Sequence, residues 1–378
     1  MVKYLSVLLV IVLTMALVVT GCSPATPTTT TAPTATSSSI TPTQAAVKPV
    51  ELRFSDQNPP TGRISVKYIQ PWIKAVEEAS EGRIKITLFP GESLHKGTES
   101  VAAIAGGITD LTWIPHGLFP GKFPLSEVAK LPFIGAPDST YEGQAKSAAA
   151  INSIILQQLI DTIPEMQQEY KGMKLLYSHT SSPYFLATNK KQVRTMEDLQ
   201  GLKVRELGGP PTEMWKLLGA NPMLVATADC YDAASKGVID GMALQWSLVG
   251  TWRLFEVFKY YSDIGTTMAT FSVLMNQGAW DRLSPDLQEV MMSVSGTFGA
   301  EFAGTQNFGF ELEEEVKAQM GKTDYIMEEI KANDGEAARW EEKAGKPIWD
   351  SWVKEMEGKG LPGQKVLDEW LNLVSQYK

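Results

Sequence analysis

Apolar and polar positions alternate over Val50-Glu51-Leu52-Arg53-Phe54, which is the period of a strand. Ile69, Trp72, Ile73, Val76 and Ala79 then recur at helical spacing, with Pro71 inside the pattern as a kink or as the true start. Glu81-Gly82 closes that helix, and Arg83 to Phe89 alternates again through Ile84, Ile86 and Leu88. Strand, helix and strand within about 40 residues form a βαβ unit, so the pattern predicts a parallel sheet. Further along, Thr98–Ala105 reads as a helix and Thr109–Ile114 as a strand. Tyr141–Ile160 reads as a helix with Ile151, Ile154, Ile155 and Leu159 on one face.

A second series follows. Strands are expected at Lys174–Ser178, Phe185–Asn189, Lys203–Glu206, near Met223–Val225, at Gly241–Leu244 and at Ser272–Asn276. Met196–Leu199 reads as a helical turn. Pro210–Leu218 reads as a helix whose proline sits in the first turn, where the missing N–H costs nothing. From Pro285 the strand signals fade and helices run to the C-terminus. Trp349, Trp352, Val353 and Met356 form an apolar stripe there, read as core packing. The acid runs at 313–315, 328–329 and 341–342 read as solvated helix faces.

The N-terminus has a different pattern. Lys3 precedes a nearly unbroken apolar run from Leu5 to Val19, and the run ends at Gly21, short of bilayer length. Val19-Thr20-Gly21-Cys22 has the small residues and cysteine of a lipobox. Residues 1–21 are therefore expected to be a signal peptide and Cys22 a lipidated first residue; an uncleaved membrane anchor is the competing reading. Residues 23–46 hold 22 Ser, Thr, Pro or Ala among 24 positions, the composition of an extended tether. The folded part is thus expected outside the cytoplasm and beside a membrane.

Composition narrows the function. The 378 residues carry a net charge of −9, which argues against nucleic acid as a partner. Cys22 and Cys230 are the only cysteines, and acylation of the first leaves no disulfide; Cys230 reads as a plain buried thiol. His95, His116 and His179 are scattered and form no metal-ligand pair, so no metal or other cofactor is expected. No nucleophile elbow, Walker loop or dinucleotide fingerprint follows a strand, which makes an enzyme the weaker class. Gly208-Gly209 lies between a strand and a helix, where it can cradle an anion.

Several stretches resemble one family in order along the chain. Glu81 to Ile86 closes on Phe89-Pro90; Thr109-Asp110-Leu111 leads to Pro120 to Val128 and Leu131-Pro132-Phe133. The most telling is Glu197-Asp198-Leu199-Gln200-Gly201-Leu202-Lys203-Val204-Arg205. Gly237 to Gly241, Asn276 to Trp280 and Ser284 to Gln288 follow. Together they look like the DctP-like extracytoplasmic solute-binding proteins of TRAP transporters. The resemblance implies a two-lobe α/β fold of the periplasmic-binding-protein type, with a ligand cleft between the lobes, a long connecting helix and a helical C-terminus. It places lobe I at 50–181 plus 270–309, and lobe II with the C-terminal helices at 182–269 plus 310–378. It also implies a monomeric receptor that closes on an organic acid and hands it to a TRAP permease driven by an ion gradient.

By the motif, Arg205 matches the family's carboxylate-binding arginine. A guanidinium offers a rigid fork that fits a carboxylate with two parallel hydrogen bonds. Without the motif, Arg205 reads as a surface residue pairing with Glu206 or Asp198. Many relatives carry a second arginine five residues before an asparagine. Here the asparagine is Asn189 and the position holds Tyr184. After Asp240-Gly241 the chain reads Met242-Ala243-Leu244-Gln245-Trp246, like the subgroup with a tryptophan there. Trp246, Gln245, Trp113 and Phe271 are expected near the cleft, with core packing as the alternative for the three rings. Asn58, in the loop after the first strand, either meets a ligand or caps a helix. One cation and several rings point to a monocarboxylate with an apolar or aromatic body. An ABC-importer binding protein, which an ATPase gene next door would favour, and less so a secreted hydrolase, are the competing functions.

Overall fold

The structure is a computed structural model. It describes residues 48–377 except 142, 207–209 and 226–228. The signal segment, Cys22, the tether and Gly208-Gly209 lie outside the described residues. The described residues form one compact unit.

The strands are β1 Val50–Ser55, β2 Ile84–Phe89, β3 Leu111–Pro115, β4 Ser139–Tyr141, β5 Gln144–Lys146, β6 Met173–Thr180, β7 Phe185–Thr188, β8 Lys203–Glu206, β9 Asn221–Leu224, β10 Gly241–Leu244, β11 Tyr260–Ser262, β12 Thr270–Asn276 and β13 Glu328–Glu329. They build two main sheets. The first has the order β2-β1-β3-β12-β6 and the second β13-β11-β7-β10-β8-β9. β1 lies parallel to β2 and β3, as the βαβ pattern requires. β12 runs antiparallel between β3 and β6, and β10 lies antiparallel to β7 and parallel to β8, so both sheets are mixed.

Helical backbone runs unbroken from Ile64 to Ala79, π-helical over Ile64–Ile69 and α-helical over Gln70–Ala79, so Pro71 lies inside the helix where its pitch changes and is not its start. Glu81 and Gly82 both take positive φ just beyond its end. One helix is shorter than its pattern. The helix expected from Tyr141 begins at Ala148, capped by Ser147, whose Oγ accepts from Ala150 N at 3.3 Å. The β4–β5 hairpin occupies the stretch before it, with Gly143 at φ 78°.

Three segments join the two sheets. Residues 181–184 lead from β6 into β7, and residues 263–269 lead from β11 back into β12. The two strips bond to each other: Tyr184 N–H donates to Thr267 O and Thr266 N–H to Tyr184 O, both at 2.8 Å, and Ser181 N–H to Ala269 O at 2.9 Å. The third link is helical. Gly296–Phe308 packs on the helix Ala148–Thr162 and on β6, and Phe310–Met320 packs on the helix Trp246–Thr251. The connecting helix is therefore two helices, interrupted at Gly309. Gly309 is extended, at φ −83° and ψ −166°, and a Cβ added there would collide with the Thr305 carbonyl.

The C-terminal helices, Lys346–Gly358 and Gly363–Ser375, bury the tryptophan stripe. Trp349, Trp352 and Trp370 donate their indole N–H groups to the carbonyls of Pro132, Pro124 and Ile134, at 2.8, 3.3 and 2.9 Å. Just before them, Glu336 accepts from Met196 N–H at 2.7 Å and Arg339 pairs with Glu197 at 2.6 Å. The C-terminal segment is thus bonded to loops of both sheets.

Candidate functional site: the edges where the two sheets meet

Chain direction identifies the facing edges. β6 ends, and β7 begins, at the connecting strip, so that end of each strand faces the other sheet. In the second sheet β10 is antiparallel to β7 and parallel to β8, so β8 and β10 end on the same edge as β7 begins. Arg205 and Glu206 at the end of β8, Gln245 just after β10 and Tyr184 just before β7 share this edge. In the first sheet β12 begins beside the end of β3, with Phe271 opposite Pro115 and Val273 opposite Trp113. Trp113, Phe271 and the loop after β1 that holds Asn58 therefore lie on the facing edge. This is the crevice beyond the carboxyl ends of strands where α/β folds place ligands.

Arg205 is 7% exposed and so is not a surface residue. Its Nε donates to Val225 O at 2.9 Å, a bond that fixes the plane of the guanidinium. Burial pushes the Tyr184 hydroxyl up to about 12, Glu206 adds to this, and Arg205 opposes it. Burial raises the Cys230 thiol as well, again opposed by Arg205. The guanidinium thus acts electrostatically on both Tyr184 and Cys230. Asp198 accepts instead from the N–H groups of Arg194 and Thr195, at 3.0 Å each. Glu206 accepts from Trp215 Nε1 at 3.3 Å.

The expected aromatic residues fall into two groups. Trp113 stacks on Phe271 at 4.9 Å and donates from Nε1 to His179 Nε2 at 2.9 Å. Phe271 also stacks on His179 and on Phe308, at 4.9 and 5.3 Å. Burial holds His179 down at about 3, so this column is neutral at physiological pH. Trp246 stands apart, against Phe185 at 4.9 Å and Tyr261 at 5.1 Å, with the Lys317 ammonium 5.3 Å from its ring centre. Asn58 caps no helix: its Nδ2 donates to Asp56 Oδ1 at 2.7 Å within its own loop. Gln245 is 6% exposed, and its Oε1 has no hydrogen-bond partner.

A cavity of about 550 Å³ opens beside the connecting strips, lined among others by Phe185, Trp246, Tyr261 and Phe308. Its rim includes Asp138, Asp263, Glu313, Glu329 and Glu341, and Arg205 does not line it. Burial raises Asp263, and the charges of Asp138, Glu313 and Glu329 raise it further, so the field there repels an anion.

A second polar arrangement escaped the sequence reading. His116 Nε2 bonds Ser272 Oγ at 2.7 Å, Ser272 bonds Ser178 at 2.7 Å, and Ser178 meets Tyr170 at 3.1 Å. Tyr170 meets Ser126 at 3.3 Å, and Ser126 Oγ donates to Glu169 Oε2 at 2.6 Å. Burial lifts Glu169 to about 7, against the pull of the hydrogen bonds from Ser126 and the Leu125 N–H. These residues are spread over residues 116–272, so no local spacing marks them.

Among the described residues no group of three or more His, Cys, Asp or Glu could hold a metal ion, and no helix is long and apolar enough to cross a membrane. Comparison with known proteins adds a consistent set of relatives. The chain is 24% identical to the 2,3-diketo-L-gulonate-binding periplasmic protein YiaO of Escherichia coli, over 78% of this chain and 84% of that one. A TRAP solute-binding protein from Rhodoferax ferrireducens, solved with copurified benzoate, superposes with a TM-score of 0.72 at 25% identity, covering 87% of this chain and 98% of that one. A TRAP solute-binding protein from an unidentified marine microbe, described as specific for aromatic acid ligands and solved with metahydroxyphenylacetate, superposes with a TM-score of 0.72 at 27% identity, covering 87% and 99%. The family model for bacterial extracellular solute-binding proteins, family 7, matches residues 54–355. With two α/β sheets meeting at a polar crevice and a family match over most of its length, the chain belongs to family 7 of the bacterial extracellular solute-binding proteins, the DctP-like receptors of TRAP transport.

Proposed function

We propose that the protein is a membrane-tethered receptor that captures an organic monocarboxylate with an apolar or aromatic body and delivers it to a TRAP permease. Arg205 carries the reading. It is buried at a sheet edge that faces another sheet, and Nε fixes its plane. A carboxylate entering there meets a forked donor that has already lost most of its water, so the pair gains strength as the lobes close. Tyr184 in place of a second arginine adds one hydroxyl and no charge, which favours one anionic group over two. Trp113, Phe271 and Asn58 from the facing edge, and Gln245 on the edge it shares with Arg205, supply the remaining walls. The benzoate and metahydroxyphenylacetate bound by two relatives are acids of the same shape. The lipobox at Cys22 holds the tether at a membrane surface, and the protein binds without catalysis.

Calorimetry with a panel of aryl and branched monocarboxylates tests this. At least one should bind, and Arg205→Lys should weaken it by about 30-fold or more, since losing a desolvated two-point charge contact costs at least about 2 kcal/mol. The unliganded melting temperature should stay almost unchanged. Tight binding of succinate or malate with none of the monocarboxylates would overturn the ligand class, and undiminished affinity in the variant would overturn the role of Arg205.

A further inference from the structure

Gln245 poses a separate problem. It follows β10, whose last residue, Leu244, pairs with Phe185. That register sets Gln245 beside Tyr184, on the edge shared with Arg205. The backbone of Gln245 opens the helix Trp246–Thr251, and its carbonyl accepts from Leu248 N–H at 3.0 Å. The side chain does none of the usual work of this position: it makes no capping bond. It is 6% exposed, and its carbonyl oxygen has no partner. A buried carboxamide left unpaired is costly, and such groups are rare in native proteins. One placed on a ligand-facing edge is satisfied when the ligand arrives.

Resting on the carboxylate reading above, we infer that Gln245 receives a hydroxyl of the bound molecule, so that the preferred ligands are hydroxy acids. The chemistry selects among the possible donors. An ionised second carboxylate has no proton to give to Oε1. An ammonium has protons, but it would stand on the same sheet edge as the Arg205 guanidinium, and a neutral amide cannot balance its charge. A hydroxyl is neutral and both donates and accepts, so it satisfies either end of the carboxamide. A site that pairs with a substrate hydroxyl also rejects the analogue that lacks it, because the protein group is then stranded.

The test uses matched pairs on the full folded protein: benzoate against its three hydroxybenzoates, phenylacetate against mandelate, 3-phenylpropionate against 3-phenyllactate and against phenylalanine. In the native protein at least one hydroxy acid should bind about tenfold or more tightly than its parent. In Gln245→Met, which keeps the length of the side chain and removes its polar end, that ratio should fall to within about twofold. Parents that bind as well as every hydroxylated partner would overturn the inference while leaving the carboxylate reading intact, as would tighter binding of phenylalanine than of 3-phenyllactate. A ratio that survives in Gln245→Met would assign the hydroxyl to another residue. Failure of every acid, hydroxylated or not, would instead count against the carboxylate reading. The native panel decides the first point even if the variant does not fold.

Discussion

Glu169 lets the buried polar chain be tested by pH. Its carboxylate is buried and lifted from 4.5 to about 7 in the fold. Between those values the folded protein holds a proton that the unfolded chain has released. Stability from this group is therefore full below about pH 4.5 and is lost as pH rises through 7. The gap of about 2.5 pH units, at about 1.4 kcal/mol each, amounts to about 3 kcal/mol. Spread over some 330 folded residues, at about 2.1 cal/mol/K per residue, that is about 4 °C in Tm. His116 and His179, both held near 3 by burial, act in the opposite direction below pH 6.5, so the native curve alone does not isolate Glu169. The difference between native protein and Glu169→Gln does, because both keep the histidines. The amide carries a constant offset from meeting the Ser126 and Leu125 donors, and that offset does not vary with pH. Tm of Glu169→Gln minus Tm of the native protein should therefore rise by about 4 °C from pH 4.5 to pH 8, measured by scanning calorimetry. A flat difference would show that Glu169 titrates as an ordinary surface acid and that the hydrogen-bonded chain does not hold its proton.

Two further outcomes follow from particular contacts. A Cβ on Gly304 would come 2.5 Å from the Ala149 carbonyl oxygen of the neighbouring helix, so Gly304→Ala should destabilise by about 1–3 kcal/mol in urea unfolding; equal or greater stability would mean that the two helices are not in such close contact. Cys22→Ser should move the full-length protein from the membrane fraction to the soluble fraction of expressing cells while leaving acid binding by the released protein unchanged; retention on the membrane would favour the uncleaved anchor.

The sequence showed most where chemistry is local. Lys203–Glu206 and Gly241–Leu244 are strands with the expected bounds, because β-rich runs there are fenced by Gly201 and by Asp240-Gly241. Arg205 was legible only through its motif; its charge and spacing alone fit a surface residue equally well. The hairpin before Ala148 was missed because the apolar face of the following helix extends in pattern through Tyr141, although Gly143 was the available warning. Trp246 is expected near the cleft from its place in the chain, and what it packs against could not be read there. Its packing against Phe185 and Tyr261 depends on β11, which lies beyond β7 in the sheet and about 15 residues further along. The Glu169 chain joins residues up to 156 positions apart, and only the folded sheet brings them together.

The place of β12 has a consequence for how the protein is made. Within the first sheet, β6 touches no strand but β12, and β3 meets β6 only through it. Everything up to residue 269 can emerge from a ribosome or a translocation channel without a complete first sheet. Its last middle strand arrives roughly 90 residues after the edge it must join. The first sheet cannot close until then, and long-range closure of this kind is slow. For a protein that must be threaded through a membrane before it works, late completion keeps the polypeptide in a form that can still be exported.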